Sequence, residues 1–180
     1  MRINKSLILA TAFATAAVLA GAPASAAVGT DVPGLEIGTI GYNANGADTW
    51  WNRNKEYVDV VNVTDAPVDV KGLVVADGWA KQAGDDNPKN CNTWTVNSVP
   101  GVTEVEGKLM LPGRHTVRVY SGAGTPAVSG EGGRFHLVYM NSKCGYRGHY
   151  LNNTGDTVWI SKGGDSEAKT YNFDNGYYVR

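Results

Sequence analysis

The sequence predicts an all-β protein built as an antiparallel sandwich, and three observations carry that prediction. The run Glu56 to Gly72 contains two short alternating stretches, Val58-Asp59-Val60 and Val68-Asp69-Val70, each with the period of a half-buried strand, joined by the turn chemistry of Asn62 to Pro67. No stretch after residue 26 has convincing helical periodicity. Gly and Pro together make up 30 of 180 residues, which suits many short strands linked by turns.

The elements follow in order. Leu35 to Tyr42 alternates apolar and polar positions and reads as a first strand; Asn43 to Lys55 is a polar loop carrying Trp50 and Trp51. After the two central strands, Leu73-Val74-Val75 leads to a turn at Asp77-Gly78. Ala80 to Asn92 reads as loop, and Thr93 to Val96 as a short strand. Leu109 to Leu111, Pro112-Gly113 and His115 to Tyr120 read as strand, turn, strand, with Val117 and Val119 on one side and Arg118 and Tyr120 on the other. Ser121 to Gly133 is a Gly-rich loop, Phe135 to Met140 a strand, and Leu151 to Asp156 a turn. Thr157 to Ser161 and Ala168 to Phe173 are strands around the Gly163-Gly164-Asp165 turn. About eight short strands at this spacing are the mark of a sandwich.

Residues 1–26 read as a secretory leader: Arg2 and Lys5 supply a basic start, Ser6 to Gly21 an apolar stretch, and Ala24-Ser25-Ala26 a cleavage site. Cleavage after Ala26 leaves no transmembrane anchor, a short flexible leader over residues 27–34, and one domain over residues 35–180. It also leaves 14 basic against 17 acidic residues, a net charge of −3 with no basic run, which argues against nucleic acid as a partner. In an exported chain the only two cysteines, Cys91 and Cys144, read as one disulfide. In the chain-entropy account the bridge would contribute about 4 kcal/mol. No His or Cys stands at ligand spacing around either residue, so a thiol metal site is not expected.

The residues also resemble the lamin tail domain, an immunoglobulin-like β-sandwich present in secreted bacterial proteins. The matching stretches are Ile37 to Tyr42, Glu56 to Asn62, Val68 to Leu73, Leu111-Pro112-Gly113 with Val117 to Gly122, and Asn152-Asn153-Thr154-Gly155-Asp156-Thr157-Val158. They occur in the family's order over nearly the whole exported chain, and the likeness is closest to stand-alone members with a leader. Leu73 and Leu151 stand where the family usually has an aromatic residue. The resemblance implies a binding or scaffolding role and no catalytic residues.

Candidate chemistry is sparse. Asn152, Asn153, Gly155 and Asp156 form a string whose side chains suit a tight turn better than a ligand site. Asp85, Asp86 and Asn87, near Asp77, lack the alternating spacing of a calcium loop. Asn62-Val63-Thr64 and Asn152-Asn153-Thr154 match the glycosylation sequon by chance. His115, His136 and His149 are scattered, and no hydrolase or phosphate-loop motif occurs, so neither a catalytic site, a metal nor a cofactor is expected. The aromatics are the best lead: Trp50 and Trp51 lie in a polar loop, while Trp159, Tyr57 and Tyr120 have outward phase in their strands. These five residues form the candidate binding surface of a secreted, non-catalytic interaction module acting on a cell-wall polysaccharide or a surface protein. A self-assembling structural role is the alternative and a hydrolase the third reading; the oligomeric state is open.

Overall fold

The alternation around Asp59 puts the flanking valines in the core and Asp59 on the opposite face of the sheet, where it is buried against Arg118. Val58 and Val60 are fully buried, as are Val117 and Val119 of the neighbouring strand and Val158 and Ile160 of the opposite sheet. The structure, a computed structural model, describes residues 31–42, 47–78, 80, 92–142, 146–172 and 178–179. The leader read over residues 1–26, both cysteines and the Asp85-Asp86-Asn87 string lie outside them. Thirteen strands are described: β1 (Leu35–Gly41), β2 (Tyr57–Asn62), β3 (Val68–Asp69), β4 (Val74–Asp77), β5 (Thr93–Thr95), β6 (Glu104–Val105), β7 (Lys108–Leu111), β8 (Thr116–Tyr120), β9 (Ala127–Ser129), β10 (Phe135–Tyr139), β11 (Gly155–Lys162), β12 (Asp165–Asn172) and β13 (Tyr178–Val179). Three short 3-10 turns accompany them, at Arg53–Lys55, Glu131–Gly133 and Tyr146–Gly148.

The strands form a six-stranded sheet in the order β13-β1-β2-β8-β10-β9, a four-stranded sheet β12-β11-β4-β5, and a three-stranded sheet β3-β7-β6. All pairings are antiparallel except β8 with β10, which run parallel because the chain crosses outward through β9 before returning between them. The apolar inner faces, with Leu109 and Leu111 of β7, make one core. Leu73 and Leu151 both lie in it, so these aliphatic residues fill core positions. The fold is therefore an all-β sandwich, as the strand periodicity predicts.

Several local expectations change. Val32 is already core, and Val63 donates its N–H to the Gly34 carbonyl at 3.1 Å, so the ordered domain includes part of the stretch read as a flexible leader. The strand pairs on either side of Asn62–Pro67 and of Pro112-Gly113 are not hairpins, since β2 and β8 belong to the six-stranded sheet and β3 and β7 to the three-stranded one. Both crossings meet at Asn62, which is fully buried. Its Nδ2 donates to the carbonyls of Ala66 (2.8 Å), Leu111 (3.0 Å) and Pro112 (3.0 Å), while its Oδ1 accepts from the Thr64 amide (2.9 Å) and hydroxyl (2.8 Å). A side chain so enclosed offers no amide for glycosylation. The loop read over Ser121 to Gly133 contains β9, an exposed edge strand that owes its extended form to pairing with β10. By contrast, the β11–β12 hairpin turns on Gly163 and Gly164, both at positive φ (63° and 100°), as the sequence suggests.

Candidate functional site

The loop of residues 47–55 enters β2 through Glu56, and its geometry is set by side chains that bond their own backbone. Asn52 Oδ1 accepts from the Thr49 amide and hydroxyl, both at 2.8 Å, and Asn52 Nδ2 donates to the Ala47 carbonyl at 3.1 Å. Longer reaches fasten the loop to the body. Arg53 Nη1 donates to the Ser142 carbonyl at 2.6 Å, Asn54 Nδ2 to the Ala123 carbonyl at 2.8 Å, and Asn153 Nδ2 to both carboxylate oxygens of Asp48 at 3.1 Å. Trp50 is half held: the Arg53 guanidinium lies 5.0 Å from its ring centre, and Gly148 is so close that a Cβ there would meet the indole at 2.8 Å. Trp51 is 94% exposed.

Beneath the loop lies a buried polar knot that sequence reading does not find. Glu56 Oε1 is 2.6 Å from His149 Nδ1, and Glu56 Oε2 accepts from the Ser121 hydroxyl at 2.9 Å. His149 Nε2 meets the Thr49 carbonyl at 2.9 Å, which requires a proton on Nε2. Asp48 Oδ1 stands 3.9 Å from His149 Nδ1. Burial pushes the Glu56 carboxyl above its usual range against the hydrogen bonds from His149 and Ser121. Burial opposes charge on His149, but its bonds to Glu56 and Thr49 and the charges of Glu56 and Asp48 outweigh this and raise it. The pair thus shares one proton across a short bond, however that proton is placed.

Asp48, Glu56 and His149 bring their ligand atoms within 4.8 Å of one another. The 2.6 Å contact between Glu56 and His149 is that of a hydrogen bond. The Ser121 hydroxyl is directed at Glu56; Glu56, His149 and Ser121 are buried and Asp48 is half-buried. The work of this knot is to brace: residues 93 positions apart in the chain clamp the tryptophan loop onto the end of β8.

The other candidate aromatics divide between opposite faces. Tyr57, Tyr120 and Tyr139 stand in register across β2, β8 and β10, with ring centres 5.9 and 5.1 Å apart. Glycines close both ends of this ladder: a Cβ on Gly41 would stand 2.5 Å from the Tyr57 ring, and one on Gly124 2.3 Å from that of Tyr139. Arg118 lies over Tyr57 at 3.9 Å while bonding Asp59 twice, at 2.7 and 2.8 Å. Arg118 thus lies over one face of Tyr57 and Tyr139 stacks on Tyr120, while both tyrosines stay half-buried. Trp159 projects from the outer side of the other sheet and shares no surface with them.

The Asn152–Asp156 string bonds both within its own turn and to distant segments. Asn152 Oδ1 accepts from the Thr154 amide (3.0 Å) and hydroxyl (2.8 Å), and Asp156 Oδ1 from the amides of Gly78 (3.2 Å) and Thr157 (2.7 Å). Two of the three scattered histidines meet: His136 gives its Nδ1 proton to the Pro100 carbonyl at 2.7 Å, so its Nε2 accepts from His115 Nδ1 at 3.0 Å.

Asp77, buried at the end of β4, is pushed up to about 6 by desolvation and by the charge of Asp156, against bonds from the Ala80 amide and the Asn92 side chain. Its folded pKa lies above the unfolded value, so the folded state holds the extra proton between roughly pH 4 and 6. Stability therefore falls as pH rises through that window, by up to about 3 kcal/mol. Asp77→Asn is expected to add about 1–2 kcal/mol at pH 7 and nothing at pH 4, read as the difference between urea titrations of the two proteins. Equal stability increments at both pH values would refute the assignment.

No family model, no curated protein and no solved structure matches this chain.

Proposed function

We propose that this chain is a secreted, non-catalytic interaction module of the lamin-tail, immunoglobulin-like type. It is exported after cleavage at Ala26, stapled by a Cys91–Cys144 disulfide, and acts at or near the bacterial cell surface through the tryptophan loop. The observation that carries the reading is Trp51. An indole 94% exposed contributes nothing to the core, yet the loop presenting it is fastened at Asp48, Arg53 and Asn54 to the body of the domain. Preorganisation of this kind lowers the ordering cost of binding. Burying an indole of some 200 Å² on a partner is worth about 5 kcal/mol before association costs. The stretches that resemble the lamin tail fall on β1, β2, β3, β7, β8 and β11 and the turns that adjoin them, none of them on the tryptophan loop of residues 47–55, so the resemblance bears on the scaffold and the loop on the partner.

The test is retention of the purified protein on isolated cell walls at low and high salt. Retention that resists salt and drops at least tenfold in Trp51→Ala, with an unchanged melting temperature, supports the reading. Wild-type retention unaffected by Trp51→Ala removes the loop as the contact.

A further inference from the structure

The knot beneath the tryptophan loop has donors, spacing and outer partners that suit a metal ion. Glu56, His149 and Asp48 each bring one ligand atom within 4.8 Å of the others, two carboxylate oxygens and one imidazole nitrogen. The Glu56–His149 distance is 2.6 Å and the Asp48–His149 distance 3.9 Å. Two ligands on a tetrahedral ion stand about 3.3 Å apart, between those two values. A shift of about 1 Å or less at each carboxylate would therefore turn a hydrogen-bonded trio into three ligands on one ion. Each donor is also held from outside. His149 Nε2 donates to the Thr49 carbonyl at 2.9 Å, which leaves Nδ1 as the ligand nitrogen once the shared proton departs. The second oxygen of Glu56 accepts from the Ser121 hydroxyl at 2.9 Å, and the Asp48 carboxylate from Asn153 Nδ2 at 3.1 Å. Outer bonds of this kind orient the ligands of metal sites.

Charge and unpaired polar atoms point the same way. Among the described residues, His149 is the ion-pair partner of both Asp48 and Glu56. Arg147 Nη1 donates at 2.9 Å to the backbone carbonyl of Asp48, not to its carboxylate. Two carboxylates and a histidine sharing one proton carry one net negative charge, although the side chains of Glu56 and His149 are fully covered. A divalent ion in place of that proton brings the site to neutrality, the cheaper state away from water. Two buried polar atoms beside the ligands have no hydrogen-bond partner within the protein. They are Asn153 Oδ1, whose amide nitrogen holds Asp48, and the hydroxyl of Tyr150, a residue 2% exposed. Burial and then the charge of Glu56 push the Tyr150 hydroxyl well above the usual phenol range. Buried polar atoms ordinarily have partners, so the two mark a place for bound solvent, as on the open position of a three-ligand ion.

We infer that Asp48, Glu56 and His149 bind one divalent transition-metal ion of the zinc class, which takes the place of the proton shared by Glu56 and His149 and fastens the tryptophan loop to the sandwich. The imidazole selects zinc-like ions over calcium and magnesium, which favour oxygen ligands alone. The shared proton leaves for solvent as the ion binds, so no other reactant is needed. The site is independent of any contact made by Trp51, so it stands or falls apart from the wall-binding reading.

The test is equilibrium dialysis of the chelator-treated, purified protein against zinc, with metal analysis. Wild type, Asp48→Asn, Glu56→Gln, His149→Gln and the distant control His115→Gln are compared, with metal-free melting curves as the fold control. The expected result is one zinc per chain at micromolar concentration or below. Affinity falls at least tenfold in Asp48→Asn, Glu56→Gln and His149→Gln and stays within threefold of wild type in His115→Gln. Zinc at about 100 times its Kd raises the wild-type melting temperature by about 5–10 °C and leaves the three ligand variants unmoved. X-ray absorption of the zinc-loaded protein shows nitrogen and oxygen neighbours at about 2.0–2.1 Å. Glu56→Gln keeps the volume and both bonds of the knot, so it decides the case if His149→Gln fails to fold. Absence of wild-type uptake overturns the proposal, as does uptake that Asp48→Asn and Glu56→Gln both retain; the knot is then a proton-linked brace only. Sulfur neighbours in the absorption spectrum overturn it in favour of Cys91 and Cys144, and calcium bound more tightly than zinc overturns the ion class.

Discussion

Glu56→Ala is expected to destabilise the protein by about 3–5 kcal/mol, because it leaves a buried imidazole and a buried hydroxyl without their shared acceptor and opens a cavity beside them. A domain of this size has about 5–15 kcal/mol in all, so the loss is a large fraction, visible as a fall of about 10 °C in melting temperature. Glu56→Gln tests the cause. A glutamine amide can donate to a neutral His149 Nδ1 while its oxygen accepts from Ser121, keeping the volume and both bonds, and the expected cost is about 1–2 kcal/mol. The two variants also differ in pH dependence. The folded pKa of His149 is raised, so its contribution is complete below the unfolded value near 6.5 and is lost as pH climbs through the folded one. The raised Glu56 pKa acts in the same direction. Wild-type stability should therefore decline relative to Glu56→Gln as pH rises above the unfolded His value; a constant difference as pH rises would show that the pair does not share a proton. Loosening of residues 47–55 follows from the same break, seen as faster amide exchange at Trp51 and Asn52.

Asn62→Asp is expected to be worse than Asn62→Ala, although the first preserves shape and the second removes it. Truncation forfeits buried bonds to three carbonyls and to Thr64, for about 3–4 kcal/mol. Aspartate puts an acceptor where Ala66, Leu111 and Pro112 already present acceptors, so a fully buried negative charge faces three carbonyl oxygens. Its cost should exceed 4 kcal/mol at pH 7 and shrink as the pH is lowered and the side chain is protonated. Chemical denaturation at pH 7 and pH 4 separates the cases. If Asn62→Asp is milder than Asn62→Ala at pH 7, Asn62 is not acting as the donor that ties the two sheets together.

The strands that the sequence shows well are those whose signal is local. Val58 with Val60, Val117 with Val119, and Val158 with Ile160 sit two residues apart, and a period of two is a property of the extended chain itself, whatever it packs against. The Asn152 bonds to Thr154 were legible for the same reason, since they close within two residues, whereas those of Asn153 to Asp48 and of Asp156 to Gly78 reach distant loops and carry no local signal. Strands β6, β9 and β13 carry no such period; two or three residues long, they are extended because a neighbouring strand offers its ladder. Likewise the outward phase of Tyr57 does not tell that Arg118 and Tyr120, from another strand, half cover it, nor does the polar loop around Trp51 tell that its indole stays exposed.

By itself, then, the sequence determined an all-β sandwich and its alternating core, because side-chain direction in a strand is set by the backbone. Only the tertiary structure decided which sheet each strand joins, that β8 and β10 run parallel, and that Glu56 finds His149 93 residues away. Each is a relation between distant segments joined only through register and packing, which no local pattern encodes.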